Sequence, residues 1–285
     1  MSSSYAKAPR KAQVDRRERK EVVRSGNLVG LTGTPAPIAG DHERKEEIKV
    51  AKTKTSRVML TPNVIPPDIP MEVEYDFVPT DLALVFNNDP HQFVKAEPDI
   101  IQFFGKNHLE PRLTGFYQKG ADSNVEFKYS KKSMKARDWN SAVEALAVLV
   151  CAKANADTRF VYTDPKTGEV RPIRVEDCKM LFNLYRTGKD KVAYHSDKDA
   201  LPVSADRSPW GFPRPSRPVY SISFHETRSF LVRRLGATKA ICSMEMRDRM
   251  LCVMRAGMQE RFEHSVSATA KKNVSWRLNA TIRFD

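Results

Sequence analysis

No window of this 285-residue chain approaches the ~18 uninterrupted apolar residues of a spanning helix. With 29% charged residues, the composition argues against a membrane protein. The opening residues, MSSSYAKAPRKAQ, lack the short apolar stretch of a secretory signal, so the expected location is intracellular, nucleus or cytoplasm. Cysteine is scarce too. Cys151, Cys178, Cys242 and Cys252 form no CxxC and no zinc-like spacing, which predicts reduced thiols rather than a disulfide framework. The scarcest charge is the negative one: 35 Asp and Glu stand against 48 Lys and Arg, a net charge of +13. Such an excess points to a polyanionic partner, nucleic acid before an acidic membrane surface. There is no internal repeat.

What is present divides unevenly. Residues 1–60 hold 14 Lys and Arg against 7 Asp and Glu, including the run Arg16-Arg17-Glu18-Arg19-Lys20, and no sustained apolar period. A segment of this kind buries too little surface to offset the entropy of ordering, so residues 1–72 are expected to be a disordered basic tail. A nascent basic helix is expected over residues 10–24, and the proline-rich linker TPNVIPPDIP (61–70) separates the tail from a body over 73–285. In the body, DLALVFNN reads as a buried run, and PDIIQFFGKN as a short helix ended at Gly105. PRLTGFYQ and VEFKYS read as paired extended segments. WNSAVEALAVLVCAKANA is a helix with Ser141 or Asn140 as its N-cap, and DPKTGE is a turn. From Cys178 onward short strands dominate: MLFNLY, VYSISF, SFLVRR, RMLCVM and SWRLNATIRF. Many short strands after one or two helices predict an α+β chain with a β-sandwich or jelly roll and a helical layer on one side.

Two features carry chemistry. His195 and Asp197 are two residues apart, hence on one face of a strand, and His264 follows a strand and a Gly-containing turn that could return it to the same mouth. Two His and one carboxylate are the ligand set of non-haem iron oxygenases. In the last strand Trp276, Leu278, Ala280, Ile282 and Phe284 alternate with Arg277, Asn279, Thr281 and Arg283. Two arginines and an amide on one face suit a small dicarboxylate. A solvated turn and a half-exposed strand give the same patterns, and spacing alone does not separate these readings.

At this point the residues resemble a known family. FNLYRTGKDKVAYHSDKD, RPVYSISFHETRSF, LCVMRAGMQERFEH and RLNATIRF are similar, in order, to the signatures of the AlkB-like Fe(II)/2-oxoglutarate dioxygenases, and PRLTGFY resembles a segment of that family's nucleotide-recognition lid. The likeness covers about residues 108–285. It implies a double-stranded β-helix (jelly-roll) core over about 178–285 with supporting helices, and an N-terminal nucleotide-recognition lid over about 108–135. It further implies that His195, Asp197 and His264 hold Fe(II), and that Asn183, Tyr185, Arg277, Asn279 and Arg283 grip 2-oxoglutarate, with O2 as the second cosubstrate. Ser221, Ser223, Phe224, Arg228 and Phe230 match a strand motif of the family.

The activity implied is oxidative dealkylation of N-alkylated bases, of the 1-methyladenine or 3-methylcytosine type, in DNA or RNA, by a monomer. Asp199 matches an acidic position near the damaged base and is the candidate catalytic residue for cationic lesions. Arg112, Phe116, Tyr117, Lys128, Tyr129, Lys131 and Lys132 are the candidate nucleic-acid contacts, cations for phosphate and rings for stacking. The alternatives are the same chemistry on a protein or lipid, and a binding protein that keeps the fold without turnover. Three departures stand out: His225 where the family has Gly, Asp248-Arg249 in place of a Gly-Asp turn, and the proline-rich insert Leu201–Pro218.

Overall fold

The computed structural model describes residues 60–284 except 104, 121–125, 130, 131, 210 and 272, so the expected tail up to residue 59 lies outside the described residues. The elements in chain order begin with β1 (Met71–Glu74), α1 (Thr80–Asn88), β2 (Ile100–Phe103), β3 (Lys106–Leu109), β4 (Leu113–Gln118), β5 (Glu126–Tyr129), β6 (Lys132–Arg137) and α2 (Ser141–Asn155). They continue with β7 (Cys178–Tyr185), β8 (Val192–His195), β9 (Val219–His225), β10 (Arg228–Arg234), β11 (Cys242–Met246), β12 (Leu251–Met254), α3 (Met258–Arg261), β13 (Phe262–Val266) and β14 (Arg277–Phe284). A main sheet of order β1-β12-β9-β14-β7-β4-β6-β5 faces a smaller one of order β11-β10-β13-β8, and β2 and β3 form a separate hairpin. The chain is thus mostly β with few helices, as a jelly-roll sandwich requires.

The main sheet carries its apolar face outward, toward helices. Asn140 caps α2 by accepting from the Val143 N–H at 2.9 Å, and Val143, Leu146, Ala147 and Val150 of α2 are fully buried. With Phe86 of α1 they pack on Met180, Phe182 and Leu184 of β7 and Leu278, Ala280 and Ile282 of β14. Period-2 alternation then turns Asn183, Arg277, Asn279 and Arg283 to the other face, between the sheets. Both faces of β14 are buried along its whole length. Phe230, Val232, Met244, Met246, Met258 and Phe262 fill the rest of that interior.

Four expectations need correction. The body does not begin at Val73. Met71–Glu74 pairs with β12, the Asn63 N–H donates to the Ser243 carbonyl at 2.9 Å, and Ile69 is buried. The linker is a turn-rich segment pinned to β11, an edge strand of the smaller sheet: the Glu245 N–H donates to Asn63 Oδ1 at 2.8 Å, and Cys242 Sγ lies 3.5 Å from the Val64 carbonyl oxygen. PDIIQFFGKN is a hairpin, not a helix; Gly105 at φ +74° makes the turn. β4 and β5 do not pair directly, because β6 lies between them, parallel to β4 and antiparallel to β5. The first half of the expected lid is therefore a strand of the main sheet. Leu113–Tyr117 is buried residue by residue, and a Cβ on Gly115 would meet the Phe93 carbonyl oxygen at 2.0 Å.

Both turn departures lie at or beside a residue with positive φ; His225 stands at the glycine position itself, whereas in Asp248-Arg249 the second residue carries it. His225 has φ +69° and Arg249 φ +60°, in the left-handed region that favours glycine. His225 stacks on Trp276 (ring centroids 4.0 Å apart, planes 17° apart), and its N–H donates to Asp248 Oδ1 at 2.7 Å. We expect His225→Ala to cost about 1 kcal/mol, since it keeps the strain and loses the stack. His225→Gly, which relieves the strain, should stay within about 0.5 kcal/mol of wild type; denaturant midpoints of both variants check this.

One ion cluster clamps β1 to the end of α2. Arg255 pairs with both Glu72 and Asp157, and Arg159 Nε pairs with Asp157 at 2.9 Å. Burial would raise the Asp157 carboxyl, but the hydrogen bonds from Arg159 and Arg255 outweigh it and hold the group at about 2 against an ordinary 3.8. The stabilisation is complete above about pH 4 and is lost as pH falls through about 2. Asp157→Asn should therefore lower stability by about 1 kcal/mol at pH 6, with the gap to wild type closing between pH 4 and 2 in acid-unfolding curves.

Candidate metal and cosubstrate site

The site lies between the sheets, in a narrow cleft lined by residues of β7, β8, β13 and β14. β8 and β13 are antiparallel neighbours with His195 directly opposite His264, which puts the two imidazoles 4.3 Å apart, centroid to centroid. Asp197 follows at the turn out of β8, and His195 Nε2 and His264 Nε2 each lie 3.8 Å from one of its carboxylate oxygens. One ligand atom from each of the three residues lies within 4.8 Å of the others. His195 Nδ1 faces the Ala193 carbonyl at 2.8 Å; as donor there, it leaves the Nε2 lone pair for a metal.

Charge in the site is set by burial and by neighbours. Burial, reinforced by His195, pushes the His264 imidazole down to about 3, so it is a neutral ligand at pH 7. Burial alone would raise the Asp197 carboxyl, but Arg283, His264 and His195 together hold it well below the usual carboxylate range. Its Oδ2 is buried and accepts no hydrogen bond, the state expected of an oxygen reserved for a cation. The donor set, two imidazoles and one carboxylate, fits Fe(II).

Arg277 and Arg283 do not lean toward each other. Arg283 Nη2 donates to Asp197 Oδ1 at 2.9 Å, and its Nε pairs with Asp199 Oδ2 at 3.0 Å, so it belongs to the metal end. Arg277 sits at the far end of β14, 1% exposed, donating to Ser223 Oγ at 2.7 Å and lying 5.3 Å from the Tyr185 ring centroid. Among the described residues its Nε and Nη1 are buried with no partner at hydrogen-bond geometry, and burial lowers its guanidinium to about 10 although Tyr185 beside it acts to raise it. A buried guanidinium with two such donors has the chemistry to bind a carboxylate. The two arginines thus mark opposite ends of one cleft, as a molecule with a carboxylate at each end requires.

The amides serve differently from expectation. Asn279 Nδ2 donates to Ser221 Oγ and to the Ile222 carbonyl, so its amide nitrogen ties β14 to β9 while the residue still lines the cleft. Asn183 Oδ1 accepts from Arg112 Nε at 2.9 Å. Arg112, expected on nucleic acid, is instead buried in the cleft wall and paired with Glu110 at 2.7 Å. Phe116 and Tyr117 are likewise corrected. Each is 3% exposed; Phe116 packs on Met134 and Leu181, and Tyr117 makes an edge contact with Phe182. Alternation sends the two rings to opposite faces of β4 and both faces are covered, which a reading of exposed rings could not anticipate. Lys128 and Tyr129 lie on β5 and Lys132 opens β6, but their side chains, and all of Lys131, are outside the described residues. Arg228 clamps three backbone carbonyls, those of Thr187, Asp190 and Ser267.

Fold and site together define an iron-dependent oxygenase with a dicarboxylate cosubstrate. A family model of the 2OG-Fe(II) oxygenase superfamily matches residues 97–283, and the chain belongs to that superfamily, whose cofactors are Fe(II), 2-oxoglutarate and O2. Among solved structures similar to it is that of OsALKBH1, at 17% identity and TM-score 0.46, covering 77% of this chain and 99% of the other. No curated protein sequence matches the chain.

Proposed function

We propose that this oxygenase removes alkyl groups oxidatively from N-alkylated bases in nucleic acid. The observation that carries the reading is Asp199. Its side chain is 40% exposed, and Arg283 joins it to Asp197, so an open carboxylate stands beside the metal ligands. A base such as 1-methyladenine or 3-methylcytosine is a cation, and a carboxylate at this point favours it over the neutral parent base. The +13 charge of the chain supplies the non-specific attraction to phosphate. Buried Phe116 and Tyr117 lend no support, so stacking forms no part of the argument.

The chain's own residues divide the work. His195, Asp197 and His264 would hold Fe(II). Arg277, with Tyr185 against it, would bind one carboxylate of 2-oxoglutarate, and Arg283 would orient the other end beside the metal. When bound, iron, 2-oxoglutarate and O2 supply the oxidation of a C–H bond on the alkyl group. Asp199 would hold the cationic base over that point, and the interior between the sheets limits access of water.

The test is turnover on matched single- and double-stranded oligonucleotides, with and without 1-methyladenine or 3-methylcytosine, following succinate and formaldehyde together. Formaldehyde that depends on lesion, iron and 2-oxoglutarate supports the reading. Succinate production that no oligonucleotide stimulates overturns it. Asp199→Asn should reduce the rate on cationic lesions by about tenfold, the size of one charge-assisted contact, while leaving lesion-independent succinate production unchanged.

A further inference from the structure

One buried residue of the LCVMRAGMQERFEH segment, to which the sequence reading gave no role, holds the turn of the metal carboxylate. Gln259 lies in α3, the single helical turn that leads directly into β13, and is 2% exposed. Its Oε1 accepts the Asp197 backbone N–H at 2.9 Å. Its Nε2 lies 3.6 Å from Met254 Sδ, itself part of the cleft wall. The Asp197 N–H needs such a partner, because β8 ends at His195 and the sheet ladder goes no further. A second tie runs between the same two segments: Ser196 Oγ donates to the Phe262 carbonyl at 3.0 Å. Three consecutive residues, His195, Ser196 and Asp197, are therefore each fastened to the stretch 259–264, by a strand pair, a hydroxyl and an amide in turn.

We propose that Gln259 is a positioning residue of the iron site, an inference that rests on the metal reading of His195, Asp197 and His264. By fixing the peptide plane at Asp197 it fixes the direction of that side chain relative to His264, five residues beyond Gln259. The two ligands that are sequence-distant, Asp197 just past the end of β8 and His264 on β13, are thereby both referred to one short segment beyond the last rung of the β8–β13 pair. Metal–ligand distances tolerate only about 0.2 Å, and a peptide free to rotate at 197 swings the carboxylate by more than that. Loss of an outer partner of a metal ligand typically weakens metal binding ten- to a hundredfold.

The experiment is anaerobic titration of the full chain with Co(II), read by its visible absorption bands, at a temperature where wild type and variant are both folded. Gln259→Met keeps the length and volume and removes the acceptor. We expect its Co(II) affinity to fall ten- to a hundredfold and its bands to shift, whatever happens to the melting temperature of the metal-free protein. Ser196→Ala should move affinity in the same direction by less. If Gln259→Met does not fold, Gln259→Asn, which keeps the amide but shortens its reach by one methylene, carries the same comparison. A folded variant with lower melting temperature but unchanged affinity and unchanged bands would show that Gln259 only fills the core, and overturns the proposal. Wild type that binds no Co(II) overturns the metal reading itself, an outcome distinct from the first.

Discussion

Turnover is expected to fall at least about a thousandfold, some 4 kcal/mol of transition-state stabilisation, when any one of His195, Asp197 or His264 is replaced by alanine. Each contributes one donor atom to a cluster in which all three lie within 4.8 Å of one another. No fourth His, Cys, Asp or Glu joins that cluster among the described residues. The ligands are not equally placed for the fold. His195 is partly exposed, whereas Asp197 and His264 are 5% exposed. Removal of Asp197 takes one of the two carboxylates from Arg283, which keeps its pair with Asp199, and takes a stabilising carboxylate from His264. His195→Ala should therefore keep the melting temperature of the metal-free protein, while Asp197→Ala lowers it, with activity lost in both. Succinate assays paired with thermal melts check the two halves separately. Substantial iron-dependent activity in any of the three variants contradicts the site.

The second large effect concerns Arg277. Arg277→Lys keeps the charge but offers a point cation where two guanidinium nitrogens wait in a fixed plane. Half-saturation for 2-oxoglutarate should rise ten- to a hundredfold, equivalent to about 1.5–3 kcal/mol, with kcat at saturating cosubstrate changed much less. Lysine also adapts worse to this burial, since its compact ammonium is more strongly hydrated. Arg283→Lys should raise the half-saturation as well and additionally disturb the Asp197 contact, so its kcat falls too. An Arg on a solvated strand face would show almost no change on the same swap. Equal half-saturation in wild type and both variants would remove the cosubstrate from this end of the cleft.

How far the sequence carried these conclusions depends on which kind of pattern each part used. The alternation of β14 was legible because period 2 is a backbone property, and the structure puts Arg277, Asn279, Thr281 and Arg283 in the cleft and the apolar set against the helices. α2 was legible from its N-cap and its dense helix formers. The metal set was legible as residue types but not as a place: only the β8–β13 register brings His264 opposite His195. Other features stayed hidden for physical reasons. IIQF carries no alternation to mark it as a strand, so the helix reading competed on equal terms until Gly105 was seen to make a hairpin turn. Phe116 and Tyr117 beside lysines looked like a stacking surface because sequence does not say that both faces of β4 are covered. Gln259 sat within the LCVMRAGMQERFEH segment without a role, because a glutamine's partner is not written in its spacing; its oxygen is found on the Asp197 amide.

The position of β14 also bears on how the molecule is made. It inserts between β9 and β7, pairing with a strand that left the ribosome about a hundred residues earlier. At typical synthesis rates of about 5–20 residues per second, β7 waits several seconds with one edge unpaired. Contacts this distant in sequence are slow to form and leave strand edges open to other chains. Arg277 arrives on the same strand, so the cosubstrate pocket proposed there and the closure of the sheet are completed by one event. A nascent chain therefore has no partly built version of this cleft. Heat or mutation that frays β14 would be expected to remove cosubstrate grip and sheet integrity together, rather than leave a folded protein with weakened affinity.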